Sequence, residues 1–262
     1  MTLHLEKPFD SLWSTPFDAA IAQQGEIYRS KEGRRTLQFE AQGQSYFLKL
    51  HQGIGWGEII KNLVQLRLPI LGARNEWLAI EHLKSVDVGT MTAAAYGERG
   101  CNPAKQLSFI VTEDLIDTIS LEDYCKDWVT SPPDTKLKVR LIKKVAEMSG
   151  KMHGSGMNHR DFYLCHFLLD ETIAADSDEW PKLHIIDLHR AQIRAKVPYR
   201  WQVKDLAGLY YSALDIGLSK EDVALFLGSY SLDLDKKCRQ QIERKAMKLY
   251  LKDHGRAAVL PK

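Results

Sequence analysis

Asn158-His-Arg-Asp-Phe-Tyr-Leu-Cys-His-Phe-Leu-Leu169 sets His159, Arg160, Asp161 and His166 on one short segment that runs out into apolar residues. The residues before it read as a long helix, Asp134 to His153. Leu141, Val145, Met148 and Met152 fall at i, i+4, i+7 and i+11, one apolar stripe. Pro132-Pro133 stand ahead of that helix, and Gly154 and Gly156 are placed to stop it. Downstream, Leu183-His-Ile-Ile186 reads as a short buried strand that delivers Asp187-Leu-His189. The order is helix, polar loop, short strand, acid.

Further out, the first half of the chain reads as strands. Gly25–Tyr28 is β-prone, Thr36–Glu40 alternates apolar and polar residues, and Ser45–Leu50 follows the turn signal Ala41-Gln-Gly-Gln44. These predict an antiparallel meander of three strands. A helix is expected from about Arg74 to Lys84, a strand at Leu107–Thr112, and a helix start at Ser120. From Val203 onward the pattern is helical again. Strands first and helices later predict an α+β protein with two lobes, 1–115 mainly antiparallel sheet and 116–262 mainly helical. Residues 51–74, apolar and glycine-interrupted, form an insertion in the first lobe.

Composition narrows the function classes. The chain has 262 residues, 44% hydrophobic and 27% charged, with 36 Lys+Arg against 34 Asp+Glu. That describes a globular chain with a real core and excludes disorder. A formal charge of +2 gives no sign of a nucleic-acid partner. The longest runs free of Asp, Glu, Lys and Arg, Val88–Gly97 and Val223–Leu232, are half of what a membrane span needs. No signal-peptide core opens the chain, so a cytoplasmic location is expected. Cys101, Cys125, Cys165 and Cys238 are scattered and make no CxxC, which predicts reduced, structural thiols.

The loop-and-acid pattern is the order in which kinase-type enzymes present a catalytic loop and a metal-binding aspartate. Phosphoryl transfer needs one carboxylate to accept the acceptor's hydroxyl proton and another to hold Mg²⁺ against phosphates. Asp161 and Asp187 fit those two roles. Lys49 is a solitary charge in the apolar strand Tyr46–Leu50, placed to meet nucleotide phosphates. Glu76 begins the next helix and can pair with Lys49, with Glu81 as a rival partner. The turn Ser30–Arg35, with Gly33, lies where backbone N–H groups would cover phosphates.

These residues resemble a known family. Asn158–Leu169 and Ile185-Ile-Asp-Leu-His-Arg190, with Lys49 and Glu76 in support, look like the bacterial lipopolysaccharide core heptose kinases, which are similar in fold to protein kinases. The resemblance spans about residues 20–255. It implies ATP- and Mg²⁺-dependent transfer of a γ-phosphate to a heptose hydroxyl on a lipid-anchored core oligosaccharide, at the inner face of the inner membrane. ATP is then expected between the lobes, with adenine near Glu113–Leu115, Lys49 on the phosphates, Asp187 on Mg²⁺ and Asp161 as base. Departures are visible too. His166 stands where protein kinases carry a metal-binding Asn, and imidazole is a poor ligand for Mg²⁺. It can serve as a weak metal ligand or as a donor to phosphate. Leu-His replaces Phe-Gly after Asp187, and no long activation segment separates Asp187 from Trp201. Both argue for a constitutive small-molecule or glycolipid kinase.

Competing readings are a kinase-like binding module without catalysis, a small-molecule or protein kinase of the same fold, and an iron site built from His159, Asp161 and His184 or His189. Lys49 can also be a gatekeeper on an exposed strand. From Lys236 to Lys262 there are nine Lys/Arg and two acids, enough to draw the chain to an anionic membrane surface. Trp56, Ile59, Ile60, Leu63, Leu66 and Leu68 are candidates for apolar contact there.

Overall fold

The computed structural model describes residues 1–31, 33–53, 55–64, 72–172, 179–230 and 233–258. Two compact units emerge, Met1–Glu81 with Met91–Ile116, and His82–Thr90 with Asp117–Lys262. The excursion of 82–90 into the second unit differs from a simple division near 115. Its cause is bonding: Thr90 Oγ1 donates to Ile185 O at 2.7 Å, and Ile185 N–H donates to Gly89 O at 2.9 Å.

The first unit is a six-stranded antiparallel sheet, ordered β1 (Thr2–Leu5), β5 (Ala93–Arg99), β6 (Leu107–Glu113), β4 (Gln44–His51), β3 (Arg34–Ala41), β2 (Glu26–Lys31). The meander read from sequence is β2–β3–β4. Its β3–β4 turn puts Gln42 and Gly43 at positive φ, as a two-residue hairpin demands. Two strands escaped the sequence reading. β1 is a four-residue, largely exposed edge, and β5 opens on Ala93-Ala-Ala95, a composition poor in β-formers.

Along β4, Tyr46, Leu48 and Leu50 are buried in a core closed by α1 (Phe9–Leu12) and α2 (Pro16–Ala22), through Phe9, Trp13 and Phe17. Period-2 alternation then sends Lys49 to the opposite face. That face carries α4 (Arg74–Ser85), where Trp77 stacks on Tyr96 at 4.5 Å and Ala73 N–H donates to Ser108 Oγ. Within the 51–74 insertion, α3 (Gly55–Val64) is helical. It buries Ile59, contrary to the membrane-contact expectation, and exposes Trp56, Ile60 and Val64. Leu66 and Leu68 lie outside the described residues.

In the second unit, α5 (Leu121–Cys125) starts on the Ser120 cap and α6 (Thr135–Gly154) on Asp134, whose carboxylate accepts two backbone N–H groups. Gly154 is the last helical residue, and Gly156 at φ +90° turns the chain away. The helical C-terminus comprises α7 (Tyr199–Ser212), α8 (Lys220–Ser229) and α9 (Lys236–His254). Cys238, Ile242, Ala246 and Tyr250 form the buried stripe of α9 and leave its basic residues outward. Small strands complete the unit. β9 (Phe167–Asp170) lies between β7 (Thr118–Ser120) and β10 (Leu183–Ile185), and β8 (Met157–Asn158) pairs with β11 (Gln192–Ile193).

Candidate active site

Those small strands explain how two distant segments meet. The loop 159–166 runs from β8 to β9, and the loop 186–191 runs from β10 to β11. β8 pairs with β11 and β9 with β10, so both ends of both loops are clamped together. Two bonds then join the loops directly. Ile186 N–H donates to His166 O at 3.0 Å, and His159 Nε2–H donates to Ile186 O at 2.9 Å. His159 is fully buried, and burial pulls its imidazole below the ordinary range, keeping it neutral. Its Nδ1 is thus an acceptor, 3.3 Å from the Asp161 N–H.

Asp161 and Asp187 therefore share one end of the second unit, with His166 spanning them. His166 Nδ1 donates to the Asp161 carbonyl at 2.7 Å, and its Nε2 stands 3.5 Å from Asp187 Oδ2. His189 Nδ1 lies 2.5 Å from Asp187 Oδ1. Asp187 itself is in the left-handed region, φ 60°, ψ 49°, directly after β10. The Asp161 carboxylate meets Arg190, whose Nη1 is 2.8 and 2.9 Å from its two oxygens.

Helix α7 holds the loop from behind. Asp205, 1% exposed, accepts the His159 N–H at 2.6 Å and the Arg160 N–H at 2.9 Å. Lys204 Nζ donates to the Arg160 carbonyl. These bonds fix Arg160 at φ 78°, a conformation that costs a side-chain-bearing residue energy. One turn on, Gly208 lets the loop approach: a Cβ there would meet Phe162 O at 2.8 Å. Ser212 Oγ then accepts the Leu164 N–H at 2.9 Å. Sequence reading missed Lys204, Asp205, Gly208, Ser212 and Arg190. The available signal was an acid and a glycine at i and i+3 among the apolar positions of Val203–Leu209.

In the first unit, Lys49 Nζ donates to Glu76 Oε1 at 2.6 Å, with Glu76 1% and Lys49 24% exposed. Gly33, φ +72°, sits in a β2–β3 turn tighter than Ser30–Arg35. Its carbonyl accepts the Gln52 N–H at 2.8 Å, and a Cβ would strike Gly53 O at 2.4 Å. Glu113 ends β6, and Leu115 follows it; between them Asp114 accepts from Gln38 and Ser45.

Among the described residues no group of three or more His, Cys, Asp or Glu is placed to hold a metal ion. Asp187 still suits Mg²⁺, which binds through one or two carboxylates and takes its remaining ligands from water and phosphate oxygens. With Nδ1 donating to the Asp161 carbonyl, His166 turns its Nε2 toward Asp187 Oδ2, beside the position a cation on Asp187 would take. Burial pushes the Cys165 thiol up to about 11, which removes it as a nucleophile at neutral pH.

An antiparallel sheet unit with a braced lysine, and a helical unit with two aspartates on clamped loops, define a kinase-like phosphotransferase. The model of the lipopolysaccharide kinase (Kdo/WaaP) family matches residues 18–230, and the chain belongs to that family. It is 52% identical over 259 residues to the lipopolysaccharide core heptose(I) kinase WaaP of Pseudomonas aeruginosa, covering 95% of this chain and 96% of that protein. It is 53% identical over 230 residues to the Escherichia coli protein of the same name, covering 87% and 86%. A solved structure of WaaP in complex with acyl carrier protein superposes with a TM-score of 0.82 at 48% identity, over 95% of this chain and all of that one. Among the described residues no helix is long and apolar enough to cross a membrane.

Proposed function

We propose that this protein transfers the γ-phosphate of ATP to a heptose hydroxyl of the lipopolysaccharide inner core, with Mg²⁺. The observation that carries the reading is the clamped pair of loops that brings Asp161 and Asp187 to one place, joined through His166. Asp161 orients the acceptor hydroxyl and takes its proton; the hydroxyl oxygen forms the new P–O bond as the bond to the ADP oxygen breaks. Asp187 would hold Mg²⁺, with His166 donating to phosphate or adding a weak ligand. When bound, the metal offsets phosphate charge. Residues 1–115 serve nucleotide binding: Lys49 contacts phosphates and Glu76 fixes its ammonium, the Gly33 turn covers phosphates, and Glu113 and Leu115 border the adenine. Residues 116–262 serve catalysis and the saccharide. Incubation with labelled ATP, Mg²⁺ and a defined core saccharide should give a singly phosphorylated heptose by mass mapping; no transfer under any metal condition overturns the reading.

Two further contacts belong to it. The second unit contains an apolar cavity of about 250 Å³, lined by Leu121, Trp128, Leu141, Leu209, Phe226 and Ile242 among others. Its solved relative is bound to a carrier of acyl groups, and the cavity is chemically suited to an acyl chain, so we place an acyl carrier protein as partner. Co-purification that survives in the wild type and is lost on narrowing the cavity, as in Ala213→Phe, supports this; unchanged capture rejects it. The basic face of α9 and the exposed Trp56–Ile60–Val64 stripe support peripheral contact with the anionic inner face of the inner membrane. Sedimentation with anionic liposomes at low salt, absent with neutral ones, is the expected result.

A further inference from the structure

Asp161 does not stand open. Both of its oxygens are held by one nitrogen of Arg190, and the pair is only partly exposed, 19% for Asp161 and 33% for Arg190. A guanidinium nitrogen held between both carboxylate oxygens occupies lone pairs that an incoming hydroxyl would need. The proposed base is thus restrained by its nearest cation.

The surroundings carry more positive charge than Asp161 and Asp205 can match. Arg190 grips Asp161, the charges of Arg160 and Lys204 act on both acids, and Asp205 is already committed to two backbone N–H groups. Arg194 stands close by and, among the described residues, has only amide oxygens as partners, Asn158 Oδ1 at 2.7 Å and Gln192 Oε1 at 2.6 Å. Among the described residues no carboxylate pairs with Arg160. Its guanidinium lies 4.9 Å over the Trp201 ring, which Arg200 and Lys204 also face at 5.2 and 5.6 Å. Burial, and after it the charge of Arg190, pulls the Arg160 guanidinium below its usual range, so these cations repel one another. Cations crowded around an aromatic wall, beside the atom that must receive a proton, call for an anion.

We propose that Arg190, Arg160 and Lys204 form an oxyanion subsite for the acceptor, and that a carboxylate or phosphate arriving there draws Arg190 off Asp161 and frees the base. An acceptor with a suitable hydroxyl but no neighbouring anionic group then binds without releasing Asp161. This rests on the kinase reading above and adds its acceptor specificity. Arg190 thus meets the acceptor's anion and releases Asp161, a role that kinetic experiments separate from that of the base itself.

The test uses the whole protein, ATP, Mg²⁺ and three forms of the core saccharide: intact, carboxyl-reduced and dephosphorylated. In the wild type, kcat should fall at least about tenfold for the form that lacks the recognised group, the scale of one lost charge-assisted hydrogen bond. Whichever form falls identifies carboxylate or phosphate as the ligand. Arg190→Gln should bring the forms to within about twofold of one another. Arg190→Lys should retain the preference. Should Arg190→Gln not fold, the wild-type series decides alone. Equal use of all three forms by the wild type overturns the subsite and leaves the kinase reading intact. Unchanged discrimination in folded Arg190→Gln overturns it as well. Transfer to none of the three removes both.

Discussion

Replacing Asp205 probes the part of the site that no motif announces. Asp205→Asn keeps size and one carbonyl oxygen but sets an NH₂ group against one of the two N–H donors, of His159 or Arg160, now bonded at 2.6 and 2.9 Å. A hydrogen bond to a charged group contributes about 1.5–3 kcal/mol, and the orphaned donor stays buried. For a chain of this size each kcal/mol moves Tm by about 2–4 °C, so the variant should melt about 3–12 °C lower. Asp205→Ala removes both acceptors and should cost about twice as much. The loss is not confined to stability. Arg160 at φ 78° is held by these bonds, and its relaxation displaces the next residue, Asp161. Turnover should therefore fall by about tenfold or more, since small misplacements of a reacting group are costly. KM for ATP should stay close to wild type, because Asp205 is buried behind the loop. Differential scanning calorimetry with initial-rate kinetics measures both effects. If Asp205→Asn melts within a degree of wild type and turns over normally, the cradle role assigned to α7 is wrong.

Three other outcomes follow from the same geometry. Asp161→Ala should lower kcat by about 10²–10⁴ with ATP affinity nearly kept, the usual reach of general-base catalysis; wild-type turnover would move the base elsewhere. Lys49→Ala leaves Glu76 as a buried carboxylate without its ammonium, a loss of up to about 3–5 kcal/mol for a fully buried pair and less here because Lys49 is partly exposed. Both melting temperature and use of ATP should suffer, whereas Glu76→Gln, nearly isosteric, should raise KM for ATP at smaller cost in stability; two neutral variants would refute the brace. Burial holds His159 and His184 below the ordinary imidazole range. Below about pH 6.5 the unfolded chain binds protons that the folded chain refuses, so stability rises with pH and is lost as pH falls through that value. Melting temperatures taken from about pH 8 to about pH 5 should decline below about 6.5, and His184→Asn should flatten part of the decline.

Much of this was legible in one dimension because local physics writes it there. The alternation of Tyr46, Leu48 and Leu50 around Lys49 fixes both a strand and the face its lysine takes. The α6 stripe with its Asp134 cap fixes a helix, and Asn158–Leu169 fixes a loop whose residue types suit phosphoryl transfer. Elements with weak local signals were not legible. β1 and β5 owe their existence to neighbours in the sheet, and α3 replaces what reads as irregular chain.

The sequence by itself offered the candidate chemical groups, Asp161, Asp187, Lys49 and either Glu76 or Glu81, because strand and helix periodicity and motif order are properties of neighbouring residues. Tertiary structure alone decided what those groups meet. Pairing of β8 with β11 and β9 with β10 closes two loops upon each other, and only then do Arg190 face Asp161 and His166 face Asp187. Asp205 is the sharpest case, an acid 46 and 45 positions from the two N–H groups it holds, whose purpose exists only once α7 is packed behind that loop. Contacts across such sequence separations carry no local period, so they enter the molecule with the fold.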